Sequence, residues 1–351
     1  MNTPAKIVVF HTAFIGDVVL AVPLLQLLRE RFPEARIAAV TTPETAEVLS
    51  NHPAVDRVII YDKRGVRAGI PGIVRMAGEL RSEAFDTAVI PHRSLRSALV
   101  CRLAGIPVRV GFDTSMGRFL LTHKERYVPT DHEILRNLAL SRPLGVPRSG
   151  MRLPKLYPSS ADKLEVDTFL REQWGEGALQ RPPLMVGIAP GSVWNTKRWP
   201  EQKFADLIQM LARDQWSVVL IGGKGDTELC ARLRGGSKDA RVVDASGRLS
   251  LLQSADLISR CAVIVTNDSA PMHLALAMRV PIVALFGPTV PEFGFAPVGR
   301  DDRIVETNGL RCRPCAIHGG KKCPVGTFDC MEMILPVRVR NEVHAMVHRV
   351  S

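Results

Sequence analysis

The chain has 351 residues, 46% of them hydrophobic and 23% charged, and a formal charge of +11. Such a length supplies two cores of ordinary size, and this balance of residues excludes a disordered chain. No run of eighteen apolar residues is present, which excludes a membrane-spanning helix and leads us to expect a cytoplasmic protein. The opening apolar run, Ile7 to Phe10, is too short for a signal peptide and reads as a first core strand. Val- and Ile-rich runs predict further strands at 37–40, 58–61, 87–90 and 108–110, with turns or helical patterns such as 19–31 between them. A polar, Gly/Pro-rich stretch from Trp174 to Pro183 predicts a linker. Strands then recur at 184–189, 217–221, 242–243, 262–265 and 282–286. This alternation predicts an α/β protein of two Rossmann-like, doubly wound parallel-sheet domains facing a cleft, with ligands beyond the carboxyl ends of the strands. The domains are expected at 1–175 and 184–335. A last amphipathic helix is expected over 336–351, with the first domain as its packing partner.

Charge is unevenly placed. From Arg57 to Lys155 there are 18 Lys and Arg against 8 Asp and Glu, most of the net excess. A block of this kind attracts nucleic acid, an anionic membrane or an anionic substrate, and a solvated face has the same composition. Aromatic residues are scarce and not interleaved with the basic ones, which argues against a single-strand binding platform.

Four polar motifs follow predicted strands, and a cluster of cysteines stands apart. Thr266-Asn-Asp-Ser269 lies where a strand gives way to a helix, so open backbone N–H groups and a positive dipole end suit a phosphate, and the neighbouring side chains suit sugar hydroxyls. An Asp or Ser N-cap with no ligand fits the same spacing. His11-Thr-Ala-Phe-Ile-Gly-Asp17 places Gly16 at a tight turn and a carboxylate, Asp17, at the helix start, either as a cap or as a proton acceptor. Gly191, Ser192, Thr196, Lys197 and Arg198 form a donor-rich basic loop before Trp199-Pro200, suited to phosphate contact or simply solvated. Gly222-Gly-Lys-Gly-Asp-Thr-Glu228 is a glycine-rich turn without a full nucleotide fingerprint. Cys312, Cys315, Cys323 and Cys330 are spaced as a loose zinc knuckle, with free thiols or a labile disulfide as the alternatives. Cys101, Cys230 and Cys261 fall on apolar patterns and read as core.

Taken in order, Phe14-Ile-Gly-Asp-Val18, Ser97-Ala-Leu-Val100, Ala104-Gly-Ile-Pro107, Lys197-Arg-Trp-Pro200, Thr266-Asn-Asp-Ser269 with Met272-His273, and Ala284-Leu-Phe-Gly-Pro288 resemble the bacterial lipopolysaccharide heptosyltransferases, and among them the type II branch. The resemblance implies a GT-B glycosyltransferase that moves heptose from ADP-heptose to the lipopolysaccharide inner core, with inversion and with no cofactor required. It implies Asp17 as the catalytic base, with Gly16, Arg93 and Arg96 on the acceptor side. For the donor it implies Lys197 at the pyrophosphate, with Ser192 and Thr196 in the same loop, and Asp268 at sugar hydroxyls. Ser269 and the Ala270 backbone would meet a phosphate, Glu228 the ribose, and Leu251 the adenine, while His273 would orient the loop. The chain departs from the pattern at Ala270-Pro271, where Gly is common, but Pro is tolerated in a first helical turn. Implied partners are the ADP-heptose donor, an anionic lipopolysaccharide core acceptor and peripheral contact with the cytoplasmic face of the inner membrane, without nucleic acid. Any zinc is expected to be structural, at the four clustered cysteines. Two other readings fit the residues: a family member with another nucleotide sugar or acceptor, and a non-catalytic basic protein that binds nucleic acid or a membrane surface.

Overall fold

Residues 3–147, 150–177, 184–237 and 239–347 are described by the computed structural model. The chain divides into two units, Met1–Tyr157 and Pro158–Ser351. In the first, β1 (Lys6–Phe10), β2 (Arg36–Thr41), β3 (Arg57–Ile60), β4 (Thr87–Ile90), β5 (Val108–Phe112) and β6 (His123–Glu125) form a wholly parallel sheet in the order β3-β2-β1-β4-β5-β6. Its helices are α1 (Ile15–Arg31), the single turn α2 (Pro43–Ala46), α3 (Gly69–Glu83), α4 (Leu95–Leu103) and α5 (Glu133–Ala139). α1 packs on α5 and α3 on α4. The central strands β2, β1, β4 and β5 are buried along most of their length, which is why they read as continuous apolar runs rather than alternating ones.

The second unit begins with α6 (Ser160–Trp174), then β7 (Met185–Ala189), α7 (Glu201–Arg213), β8 (Ser217–Leu220), α8 (Thr227–Gly235), β9 (Val242–Asp244), α9 (Leu251–Ser259), β10 (Val263–Asn267), α10 (Ala270–Ala277), β11 (Ile282–Phe286), β12 (Arg303–Glu306), α11 (Asp329–Glu332) and α12 (Pro336–Val347). Its six parallel strands run in the order β12-β11-β10-β7-β8-β9. Counted from its own first strand, this is the strand order of the first unit. Both sheets reverse direction beside their first strand, so each has a switch point at the carboxyl edge where polar loops converge.

Two boundaries differ from the sequence expectation. The first unit ends at Tyr157, not at 175, because α6 packs on α9. Arg260 pairs with Asp167, Arg248 with Glu172 at 2.8 Å, and the Trp174 indole donates to the Ala240 carbonyl at 3.3 Å. The C-terminal helix belongs to the second unit as well. Val339 and Val343 are fully buried in a cluster with Phe204, Leu207, Leu211 and Trp216. Arg340 and His344 hold Asp214, just past the end of α7, at 2.6 and 2.8 Å. Mainly through Arg340, this carboxyl is lowered to about 2. The expected linker is described only to residue 177; residues 178–183 of it, and 348–351 of the expected last helix, lie outside the described residues.

Candidate active site

In the first unit the polar residues gather at the carboxyl edge of the sheet. Asp17 is not the N-cap of α1; that place is taken by Phe14, and Asp17 is the third helical residue. Its carboxylate reaches back to accept the Phe14 N–H at 3.3 Å, a capping-box arrangement that keeps it in the turn and half-buried. Gly16 is buried beside it. Below, His11 follows β1 directly and meets His92, two residues past β4, edge-on with ring centroids 6.2 Å apart. Burial, with the neighbouring His92 and Lys63, lowers His11 to about 3, and burial with the charges of Lys63 and Arg93 lowers His92 to about 4, so both rings are neutral at physiological pH. Lys63 donates to the Thr12 carbonyl and to its hydroxyl at 3.2 Å, and Arg96 donates to the Lys63 carbonyl at 2.9 Å. Arg93 lies over the Tyr127 ring, 4.3 Å from its centroid.

A second carboxylate, Glu133, has no place among the sequence motifs. It opens α5, the helix packed on α1, and it pairs with the buried Arg136 at 2.9 Å. Burial raises its pKa to about 7 against the pull of Arg136, and the negative charge of Asp17 adds to the rise. Only the Asp131-His-Glu133 run before a short apolar helix marks this position in the sequence.

The second unit brings together Lys197 and Asp268. The ammonium lies 2.6 Å from the carboxylate, with side-chain exposures of 12% and 8%. Thr289, in the loop after β11, donates its hydroxyl to the same oxygen at 2.7 Å. The motif's neighbour Asn267, fully buried, accepts from the Trp199 N–H at 3.1 Å and donates to the Pro190 carbonyl at 2.8 Å, clamping the loops after β7 and β10 together. Ser269 is the N-cap of α10, but its hydroxyl turns to the Asn267 carbonyl at 3.4 Å and leaves the helix amides of Ala270 onward without a side-chain cap. Pro271 occupies the first turn, and His273 is buried one turn in. Ser192 is buried, and its carbonyl accepts from Arg198 at 2.8 Å.

Glu228 and Leu251 lie at the same sheet edge, in the first turns of α8 and α9. Their loops are layered tightly: a Cβ on Gly191 would stand 2.1 Å from the Asp226 carboxylate, and the Gly247 N–H donates to the Gly222 carbonyl at 3.0 Å. Thr289 directly follows the Gly-Pro of the last motif; a lone threonine past a motif carries no pattern of its own, so sequence reasoning misses it.

The four-cysteine segment also belongs to this edge. Gly320 exchanges two bonds with Thr196, its N–H to the hydroxyl at 2.7 Å and its carbonyl from the Thr196 N–H at 3.0 Å. Neighbouring Gly319 has a φ of +83°, and a Cβ there would press on the Lys197 stem at 3.1 Å. On the other side Arg313 donates to the Thr289 carbonyl at 3.0 Å and pairs with Glu306. The segment therefore braces both loops that hold the Lys197–Asp268 pair. All seven cysteines are free thiols. Burial and the neighbouring thiols push Cys330 up to about 11 and raise Cys315, while the Phe328 and adjoining backbone amides lower Cys323. Soft sulfur donors suit zinc or iron, yet among the described residues no three His, Cys, Asp or Glu side chains converge as a metal site.

Known proteins give this arrangement its context. A family model, glycosyltransferase family 9 (heptosyltransferase), matches residues 73–323. Lipopolysaccharide heptosyltransferase 2 of Escherichia coli K12 is 31% identical over 354 residues, which cover 97% of this chain and 98% of the relative. The structure of E. coli ADP-heptose LPS heptosyltransferase II matches with a TM-score of 0.79 at 27% identity, over 98% of this chain and 99% of that one. E. coli heptosyltransferase WaaC with ADP-2-deoxy-2-fluoro heptose shares the fold, with a TM-score of 0.71 at 20% identity over 99% and 100% of the two chains. The chain is a glycosyltransferase and belongs to glycosyltransferase family 9, the heptosyltransferases.

Proposed function

We propose that the protein transfers heptose from ADP-heptose to the lipopolysaccharide inner core by direct displacement with inversion. The observation that carries this reading is the Lys197–Asp268 pair at the open start of α10, in a chain of this family. An acceptor hydroxyl gives its proton to Asp17 as its oxygen bonds to the anomeric carbon. The bond from that carbon to the diphosphate oxygen breaks with its electron pair, and ADP departs. Lys197 and the α10 amides stabilise the charge that develops on the leaving group, while Asp268 holds sugar hydroxyls. Ser192 and Thr196 position the donor loop, Ser269 and Ala270 meet the phosphates, Glu228 and Leu251 contact the nucleoside, and His273 supports α10 from within. Gly16, Arg93 and Arg96 face the acceptor. The relative of known structure at 27% identity is an ADP-heptose LPS heptosyltransferase, which supports this class of donor.

The reading requires no cofactor in turnover. A metal held by Cys312, Cys315, Cys323 and Cys330 would act on the stability of the bracing segment. We further propose peripheral contact with the cytoplasmic face of the inner membrane, supported by the basic first half and a lipid-anchored acceptor; no helix of the described residues is long and apolar enough to cross a membrane. A donor screen for nucleotide release, with purified protein and heptose-deficient core, tests the assignment. ADP release that depends on both ADP-heptose and the core is expected. Turnover with a different nucleotide sugar alone would overturn it.

A further inference from the structure

One face of the first unit is apolar and cationic where a solvated surface is ordinarily polar. α3 buries Gly72, Met76, Ala77 and Leu80 against the sheet. Its outer side carries Ile70 and Val74, one helical turn apart and 76% and 59% exposed, and Val66 just ahead of it is 83% exposed. In the loop after β5, Met116 and Phe119 are 70% and 71% exposed. Single exposed apolar residues need no explanation, but five large ones on one edge do.

Backbone and side-chain contacts tie these segments into one surface. Arg96 joins the first turn of α4 to the loop after β3 through the Lys63 carbonyl at 2.9 Å. The Met116 N–H donates to the Arg93 carbonyl at 3.3 Å, and a Cβ on Gly117 would stand 2.6 Å from that of Ala98, so the loop after β5 lies on the start of α4. Residues 63–75, 93–96 and 116–124 contain eight Lys and Arg and no Asp or Glu. Arg67 is tied to Glu79 at 2.6 Å, whereas Arg64, Arg75 and Arg118 are exposed around the apolar side chains.

We propose that this edge docks on an anionic phospholipid bilayer, with Val66, Ile70, Val74, Met116 and Phe119 entering the interfacial region and the surrounding arginines meeting lipid phosphates. Charge complementarity selects this occupant. A second copy presenting the same face across a two-fold axis would set cation against cation. Apolar tips spread over two loops and the outer side of α3 suit a fluid interface that moulds to them. The same edge carries the Asp17 turn, so docking would let a lipid-anchored acceptor reach it without leaving the bilayer. The inference rests on the membrane contact proposed above and gives it a surface.

Co-sedimentation of the full chain with vesicles of phosphatidylcholine, with and without phosphatidylglycerol, tests it. The intact protein is expected to bind the phosphatidylglycerol vesicles and to release with salt. A triple variant, Ile70→Ser with Val74→Ser and Phe119→Ser, and a charge variant, Arg64→Gln with Arg75→Gln and Arg118→Gln, should each bind at least about tenfold more weakly. Both should keep the native melting temperature and wild-type turnover on a delipidated acceptor. Wild-type vesicle binding by both variants would overturn this surface but leave membrane contact standing. Failure of the unaltered protein to bind any vesicle would overturn both, and a dimer that the triple variant dissolves would replace the lipid by a second copy.

Discussion

Replacing Lys197 by Ala removes the cation 2.6 Å from Asp268 and leaves that carboxylate, 8% exposed, with the Thr289 hydroxyl at 2.7 Å. Deleting one member of a buried pair costs about 3–5 kcal/mol; the retained hydroxyl and the residual exposure bring the expected loss of stability to roughly 2–3 kcal/mol. The rate effect has a different origin. One preorganised charge on a leaving group contributes about 2–4 kcal/mol, or roughly 30- to 1,000-fold in kcat/KM. The two effects separate in a cycle with Asp268→Asn, read by urea unfolding and by ADP release. In the double variant no uncompensated charge remains, so about 1–3 kcal/mol of stability should return while the rate stays low. A Lys197→Ala protein with unchanged donor affinity and unchanged rate would refute the leaving-group role, and a double variant that regained turnover would refute it equally.

Asp17→Ala should lower turnover by about 10²–10⁴-fold with donor binding nearly intact, and wild-type rates in a folded variant would remove it from the mechanism. Glu133 titrates at about 7 in the folded chain against an ordinary 4.5, so the unfolded chain loses its proton first as pH rises. Stability should fall by roughly 3 kcal/mol between those values and level off above them. Glu133→Gln should abolish that fall, and parallel urea midpoints for the two proteins at pH 5 and pH 8 would show that the group does not titrate this way. EDTA should leave initial rates unchanged while the protein stays folded, and elemental analysis should find about one zinc per chain if the thiolates form a site. Loss of activity with EDTA and its return with magnesium, at constant fold, would count against metal-free transfer.

Ten of the twelve strands are legible in the chain as short apolar runs. β6 and β12, two of the four edge strands, are not: His123-Lys-Glu125 and Arg303-Ile-Val-Glu306 carry charged residues that an edge tolerates and a central strand does not, whereas the edges β3 and β9 keep a Val/Ile pair or a Val pair that marks them. The domain boundary is hidden for a different reason. A glycine- and proline-rich stretch looks like a linker whatever it joins, and only ion pairs far apart in sequence, such as Arg260 with Asp167, reveal which core α6 serves. Lys197 and Asp268 stand out because each follows a strand within a recognisable motif. Glu133 is set apart only by its burial, which the packing of α5 on α1 creates. Thr289 and Gly320 act through partners distant in the chain, a relation that no local pattern encodes: Thr289 reaches Asp268 across 21 residues and Gly320 reaches Thr196 across 124.

The place where α6 packs decides where the chain can be severed. Val166, Phe169 and Leu170 are buried on that helix. Exposing three such side chains costs roughly 5–8 kcal/mol, comparable with the whole stability of an ordinary domain. A second unit that starts after residue 175 would thus be left with an open apolar seam along α9 and a tendency to aggregate. Started at Pro158 it keeps its covering helix, and a protease that cleaves the intact protein between Tyr157 and Ser160 should release a half that remains soluble.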